Sequence, residues 1–157
     1  MRREVIMGRY LNAIFILFVT CWICSFPNTA MAGNSVRTDV RIIHASQGQN
    51  HIDSGLSDLA EELGSVFKYT SYRLIKAESM TLNNNQQGIV NLPDERSLIV
   101  TPITISKEKI KYQINILKSG DQIFGTQILL KNQRSITIGG PKFKDGYLLF
   151  NISGNAL

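Results

Sequence analysis

The sequence predicts an α+β fold in which one amphipathic helix packs on a mainly antiparallel sheet or small β-sandwich of about seven to nine strands. Three observations lead there. Leu56, Leu59, Ala60, Leu63, Val66 and Phe67 recur at the i, i+3, i+4, i+7 spacing of one helical face. From Tyr69 onward, β-branched and aromatic runs follow one another at short intervals. Clusters rich in Gly and Asn separate those runs and read as turns.

Taken in order, Val36 to Ala45 reads as a first strand, and Ser46 to Asp53 as a polar loop. The helix follows, with Asp53 or Ser54 as its cap and with Asp58, Glu61 and Glu62 near its start, opposing the helix dipole. Gly64 interrupts it, as a close packing contact or an early C-cap. Tyr69 to Leu82 is a long strand or a bent pair of strands, and Ile89 to Leu92 a short one. Ser97 to Ile105 is β-rich but contains Pro102, which lacks a ladder donor and suggests an edge or a bulge. Ile110 to Leu117 alternates cleanly, Ile110, Tyr112, Ile114 and Ile116 against Lys111, Gln113 and Asn115. Gln122 to Leu130, Arg134 to Gly139 and Tyr147 to Ile152 complete the strands, with Gly139 to Gly146 as a loop before the last.

The first 32 residues do not resemble a domain. Arg2, Arg3 and Arg9 precede the apolar run Leu11 to Cys24, and Ala30-Met31-Ala32 supplies small residues for cleavage. This is the layout of a secretory signal peptide cut after Ala32, leaving residues 33–157 as one exported domain. The apolar run is shorter than the ~20 residues of a permanent membrane helix, so an uncleaved anchor is the lesser alternative. Membrane contact is then confined to the leader. Both cysteines, Cys21 and Cys24, leave with it, so the exported chain relies on its core rather than on disulfides. Removing Arg2, Arg3, Arg9 and Glu4 leaves 14 basic against 11 acidic side chains, a net charge of +3 rather than +5. That balance gives no electrostatic case for nucleic acid.

Chemistry-bearing residues are sparse. His44, His51 and Asp53 are the candidate metal ligands, as a two-histidine, one-carboxylate set. Their spacing follows no zinc or iron signature, and the competing reading is a strand-end histidine and an exposed loop histidine. No Gly-x-Ser-x-Gly elbow marks a nucleophile, Glu61 and Glu62 diverge on the helix, and no catalytic residue is assigned. No cofactor is called for. The loop Gly-Gly-Pro-Lys-Phe-Lys-Asp-Gly places Lys142 and Lys144 on either side of Phe143. It reads as a turn with Phe143 folded onto the core, or as a partner-contacting tip. Pro102 joins these three as a candidate partner-binding residue, because an edge there could pair with another chain.

Phe67 to Ile75 (FKYTSYRLI), following a short helix, and Gly139 to Ile152 (GGPKFKDGYLLFNI), closing the chain, resemble a group of small exported Gram-negative bacterial proteins without an assigned activity. The resemblance implies a leader, a strand, a helix and a closing hairpin, and it carries no catalytic residue over. Asn132 to Gly140 (NQRSITIGG) is also faintly similar to the β-domains of outer-membrane secretins. Together these lead to an expectation: a periplasmic or envelope-associated, non-catalytic interaction or assembly module with an envelope protein as partner. The alternatives are a secreted metal-dependent hydrolase using His44, His51 and Asp53, or a small-ligand-binding protein.

Overall fold

Nine strands, β1 (Ser35–Ser46), β2 (His51–Ile52), β3 (Ser71–Asn83), β4 (Gly88–Leu92), β5 (Arg96–Ile105), β6 (Lys109–Lys118), β7 (Asp121–Lys131), β8 (Arg134–Phe143) and β9 (Gly146–Ala156), form two sheets in the computed structural model. The structure describes residues 34–157; the leader, its cysteines and the cleavage point after Ala32 lie outside them. One sheet has the order β2-β3-β1-β9-β8 and the other β4-β5-β6-β7. All pairings are antiparallel except the two-residue β2, which runs parallel to β3. Among the described residues no helix is long and apolar enough to cross a membrane.

The core lies between the sheets, because strand alternation gives each sheet one apolar face. Val36, Val40 and Ile42 of β1 and Leu148, Phe150 and Ile152 of β9 meet Leu98 and Val100 of β5 and Ile110, Tyr112, Ile114 and Ile116 of β6. β6 realises its sequence pattern without exception, its even residues from 110 to 116 buried and its odd ones turned toward solvent. It turns into β7 through Ser119 and Gly120, both at positive φ (50° and 93°), a two-residue geometry whose twist matches that of the strands.

The long amphipathic helix is corrected by the structure. A 3-10 turn over Ser54–Leu59 leads into an α-helix, α1, of only seven residues, Ala60–Val66. Leu56, Leu59 and Leu63 are buried with Ile43, Ala45, Tyr72 and Leu149, while Val66 is 63% exposed. The segment ends early because Tyr72 claims it: the Tyr72 hydroxyl sits 2.9 Å from the Leu63 carbonyl oxygen and 2.8 Å from that of Phe67. Neither expected cap operates. The Asp53 side chain makes no capping bond to the turn and instead accepts from the Leu74 N–H at 2.8 Å.

β3 carries a bulge at Ile75, where its pairing with β1 skips a residue between Ile42 and Ile43. The bulge changes which face its even-numbered residues occupy. Tyr72 and Leu74 pack in the cluster that holds α1, whereas Met80 and Leu82 join the inter-sheet core. Pro102 does mark a bulge, at Ile103, but β5 is an interior strand and Pro102 is buried. The missing N–H goes unnoticed because β4 has already ended; the Pro102 carbonyl instead accepts from Asn85 N–H at 2.7 Å.

The Gly139–Gly146 loop is also corrected. Gly139–Phe143 belongs to β8, and the turn to β9 is only Lys144 and Asp145, with Lys144 at φ 51°. Gly140 is required there, since a Cβ would collide with the Phe150 ring and stand 2.9 Å from the Leu148 carbonyl oxygen. Arg96, the first residue of β5, is buried at 8% exposure. Its guanidinium donates to the carbonyls of Pro93 and Lys142, both at 3.1 Å, and to Asp94 Oδ2 at 2.7 Å, joining the β4–β5 turn to the end of β8.

Candidate functional site

Two surfaces qualify, a polar cleft and a free sheet edge. The cleft, of about 510 Å³, opens where the loop after β1 faces the β8–β9 turn. His44, His51, Arg73, Lys144 and Asp145 line it, with the amides of Gln47, Gln49 and Asn50. Both histidines named from the sequence therefore reach one place. Asp53 does not: one oxygen meets His51 Nε2 at 2.7 Å and the other the Leu74 N–H. Those two contacts hold its carboxyl below the usual carboxylate range, the His51 bond contributing most. Among the described residues no three His, Cys, Asp or Glu side chains gather as a metal-ligand group. His51 and Asp53 thus bond to each other, while His44 lines the same cleft as His51.

His44 packs edge-on against Phe143, ring centroids 5.3 Å apart, with a side chain 12% exposed. Its Nε2 lies 3.3 Å from Asp145 Oδ1 without hydrogen-bond alignment, and it is buried with no hydrogen-bond partner. Arg73 and Lys144 enter no ion pair among the described residues, and the Lys144 ammonium sits 5.2 Å from the centre of the Phe143 ring.

Of the partner-binding candidates, Phe143 and Pro102 face the interior, so neither offers a contact surface. Lys142 and Lys144 are exposed on either side of Phe143. The sequence reading passed over β7. It ends the four-stranded sheet, pairs only with β6, and carries unusual apolar exposure: Ile123 50%, Phe124 42% and Leu129 62%. Ile123 and Phe124, with Ile116 and Gly139–Pro141 of β8, also line an apolar groove of about 260 Å³.

The other free edges are blunted in ways natural sheets use to avoid edge-to-edge pairing. β8 has its Gly-Gly-Pro bulge and two flanking cations, Arg134 and Lys142. β4 is only five residues long. β3 has its own bulge and turns an ion pair, Lys76 with Glu78, toward the inter-sheet side, opposite Ile42 and Val40. β7 has neither a proline nor a charge between Asp121 and Lys131. The signal was present in the sequence as nine uncharged residues, but only the sheet order shows that they form an edge.

No known protein family, curated protein or solved structure matches the chain.

Proposed function

We propose that this chain is an exported, non-catalytic interaction module of the bacterial envelope, working by strand addition at the β7 edge. The observation that carries the reading is that edge itself. It presents unpaired main-chain donors and acceptors beside exposed Ile123, Phe124 and Leu129, while each other edge is protected. Strand addition draws affinity from main-chain hydrogen bonds and selectivity from neighbouring side-chain pockets, the part the groove beside Phe124 would take. The leader read from the sequence supports the envelope location.

Placing a photo-crosslinking side chain at position 129 and, as a control, at Ile89 on the opposite edge tests this in envelope preparations. Ile89 is as exposed, at 58%, but lies on the short β4. Discrete crosslinked species from 129 and none from 89 are expected. An absence of any crosslink from 129 would sink the reading.

The polar cleft favours a second reading, a small-ligand site for a carboxylate or phosphate group. Its motive is the pairing of the unpartnered His44 Nε2 with Arg73 and Lys144, which form no ion pair among the described residues. Acetate and inorganic phosphate titrated against the protein should shift amide signals of the 46–50 loop and of Lys144. Unmoved signals at millimolar ligand would remove it.

A further inference from the structure

Lys109 of β6 and Lys131 of β7 are paired directly across the ladder, both exposed and neither in an ion pair among the described residues. Like charges opposed in this way destabilise a sheet. Lys107 and Arg134 add two more cations around the same hollow, of about 570 Å³, between the β5–β6 and β7–β8 turns, with Glu108 as its one acidic side chain. These five carry a net +3, the net charge of the whole of residues 33–157, whose other ten basic and ten acidic side chains cancel. The charge of the exported chain is thus gathered at one end of the fold.

The backbone beneath these cations is fixed. Asn132 donates from its N–H to the Glu108 carbonyl at 2.8 Å and from its side chain to the Lys107 carbonyl at 3.0 Å, and its side-chain oxygen accepts from the Ala156 N–H at 2.9 Å. The surroundings match a membrane surface. On the solvent face of β6 and β7, Leu129 is 62% exposed and stands opposite Lys111, so an apolar side chain projects among the lysines. The chain also enters the fold from its leader at this end: Asn34, with which the described residues begin, donates at 3.4 Å to the carbonyl of Ile105, the last residue of β5. We infer that this end docks on a bilayer surface carrying anionic phospholipid, with lipid phosphate seated between Lys109 and Lys131 and Leu129 entering the headgroup layer. A phosphate there removes the repulsion that the bare sheet carries. The contact extends beyond the leader and is independent of strand addition at the β7 edge.

Flotation with lipid vesicles tests this, using protein processed from its full-length sequence. It should rise with vesicles of phosphatidylcholine and phosphatidylglycerol and stay behind with phosphatidylcholine alone. Salt approaching about 1 M, where charges act only within about 3 Å, should release it. Lys109→Gln should weaken binding roughly fivefold, the worth of one basic side chain at an anionic surface. Lys131→Glu should weaken it further, yet melt at an equal or higher temperature than the parent, because Lys109 then faces an opposite charge. Lys68→Glu makes the same change in net charge at an exposed site outside the patch, and should bind as the parent does. Equal flotation with both vesicle types would overturn the inference, as would a Lys68→Glu effect as large as that of Lys131→Glu. Absence from both vesicle fractions would overturn a lipid surface, and retention of that protein on heparin would assign the patch to a soluble polyanion instead.

Discussion

Thr38 and Tyr112 join the two sheets at the centre of the core, their hydroxyls 2.8 Å apart and both side chains fully buried. One comes from β1 and the other from β6, so a polar bridge crosses the apolar centre of the interface. Burial pushes the Tyr112 hydroxyl above its ordinary pKa, which keeps it protonated and able to donate. Tyr112→Phe leaves the Thr38 hydroxyl without its partner and should cost about 1–3 kcal/mol. Thr38→Val alone should cost a similar amount. The double variant, with both polar atoms gone, should regain much of the loss, and a double-mutant cycle by urea unfolding reads the difference.

Arg96 is held by three oxygens, one on its own turn's Asp94 side chain and two on backbone carbonyls. Arg96→Lys keeps the charge but not the planar fork, so it cannot satisfy all three. A loss of roughly 2–4 kcal/mol is expected for Arg96→Ala, from stranded acceptors and lost packing, with Arg96→Lys recovering less than half. Thermal unfolding of the two variants beside the parent checks the ranking.

The adjacent Gly139 and Gly140 should behave oppositely. A Cβ at 139 meets nothing within 4 Å, while one at 140 strikes the Phe150 ring and the Leu148 carbonyl. Gly139→Ala should be near neutral, and Gly140→Ala should lower stability by about 1–3 kcal/mol through core displacement. Equal effects in a melting experiment would show that the bulge, rather than Phe150, sets the requirement.

Acid should weaken the chain through two carboxylates around the 3-10 turn. Arg41 donates to both oxygens of Asp58, at 2.7 and 2.8 Å, and holds it below the usual carboxylate range, as His51 and the Leu74 N–H do for Asp53. Both folded-state pKa values lie below the unfolded ones. Their contribution is therefore complete above the unfolded value of about 4 and fades as pH falls below it. Urea midpoints measured from pH 6 to 3 should decline, with a shallower decline in Asp58→Asn and Asp53→Asn.

Strand content was legible where one face alone is buried. β6 could be read residue by residue, because its period-two pattern answers to a single sheet-on-sheet contact. β9 was foreshortened for the opposite reason: Leu148, Leu149 and Phe150 are all buried, against the inter-sheet core on one face and the α1 cluster on the other, so the alternation vanishes. The helix was overextended because Leu56, Leu59 and Leu63 do share a face, while the Tyr72 hydroxyl that ends it belongs to another element. Of the candidate site, His44 and His51, both named from the sequence, line one cleft. Arg73, Lys144 and Asp145 reach the same cleft only through β3 and the β8–β9 turn, which no local pattern announces. Whether β7 was an edge depended on sheet order, a property of the whole chain.

The pairing of β1 with β9 has a consequence for how this chain is made. β1 is an interior strand, flanked by β3 and β9, and Val36 lies opposite Ala156, with the Leu157 N–H donating to the Ser35 carbonyl at 2.9 Å. β1 thus lacks one whole side until β9 has been synthesised. Contacts of such sequence separation form slowly. A chain that still lacks β9 therefore cannot close the five-stranded sheet around β1.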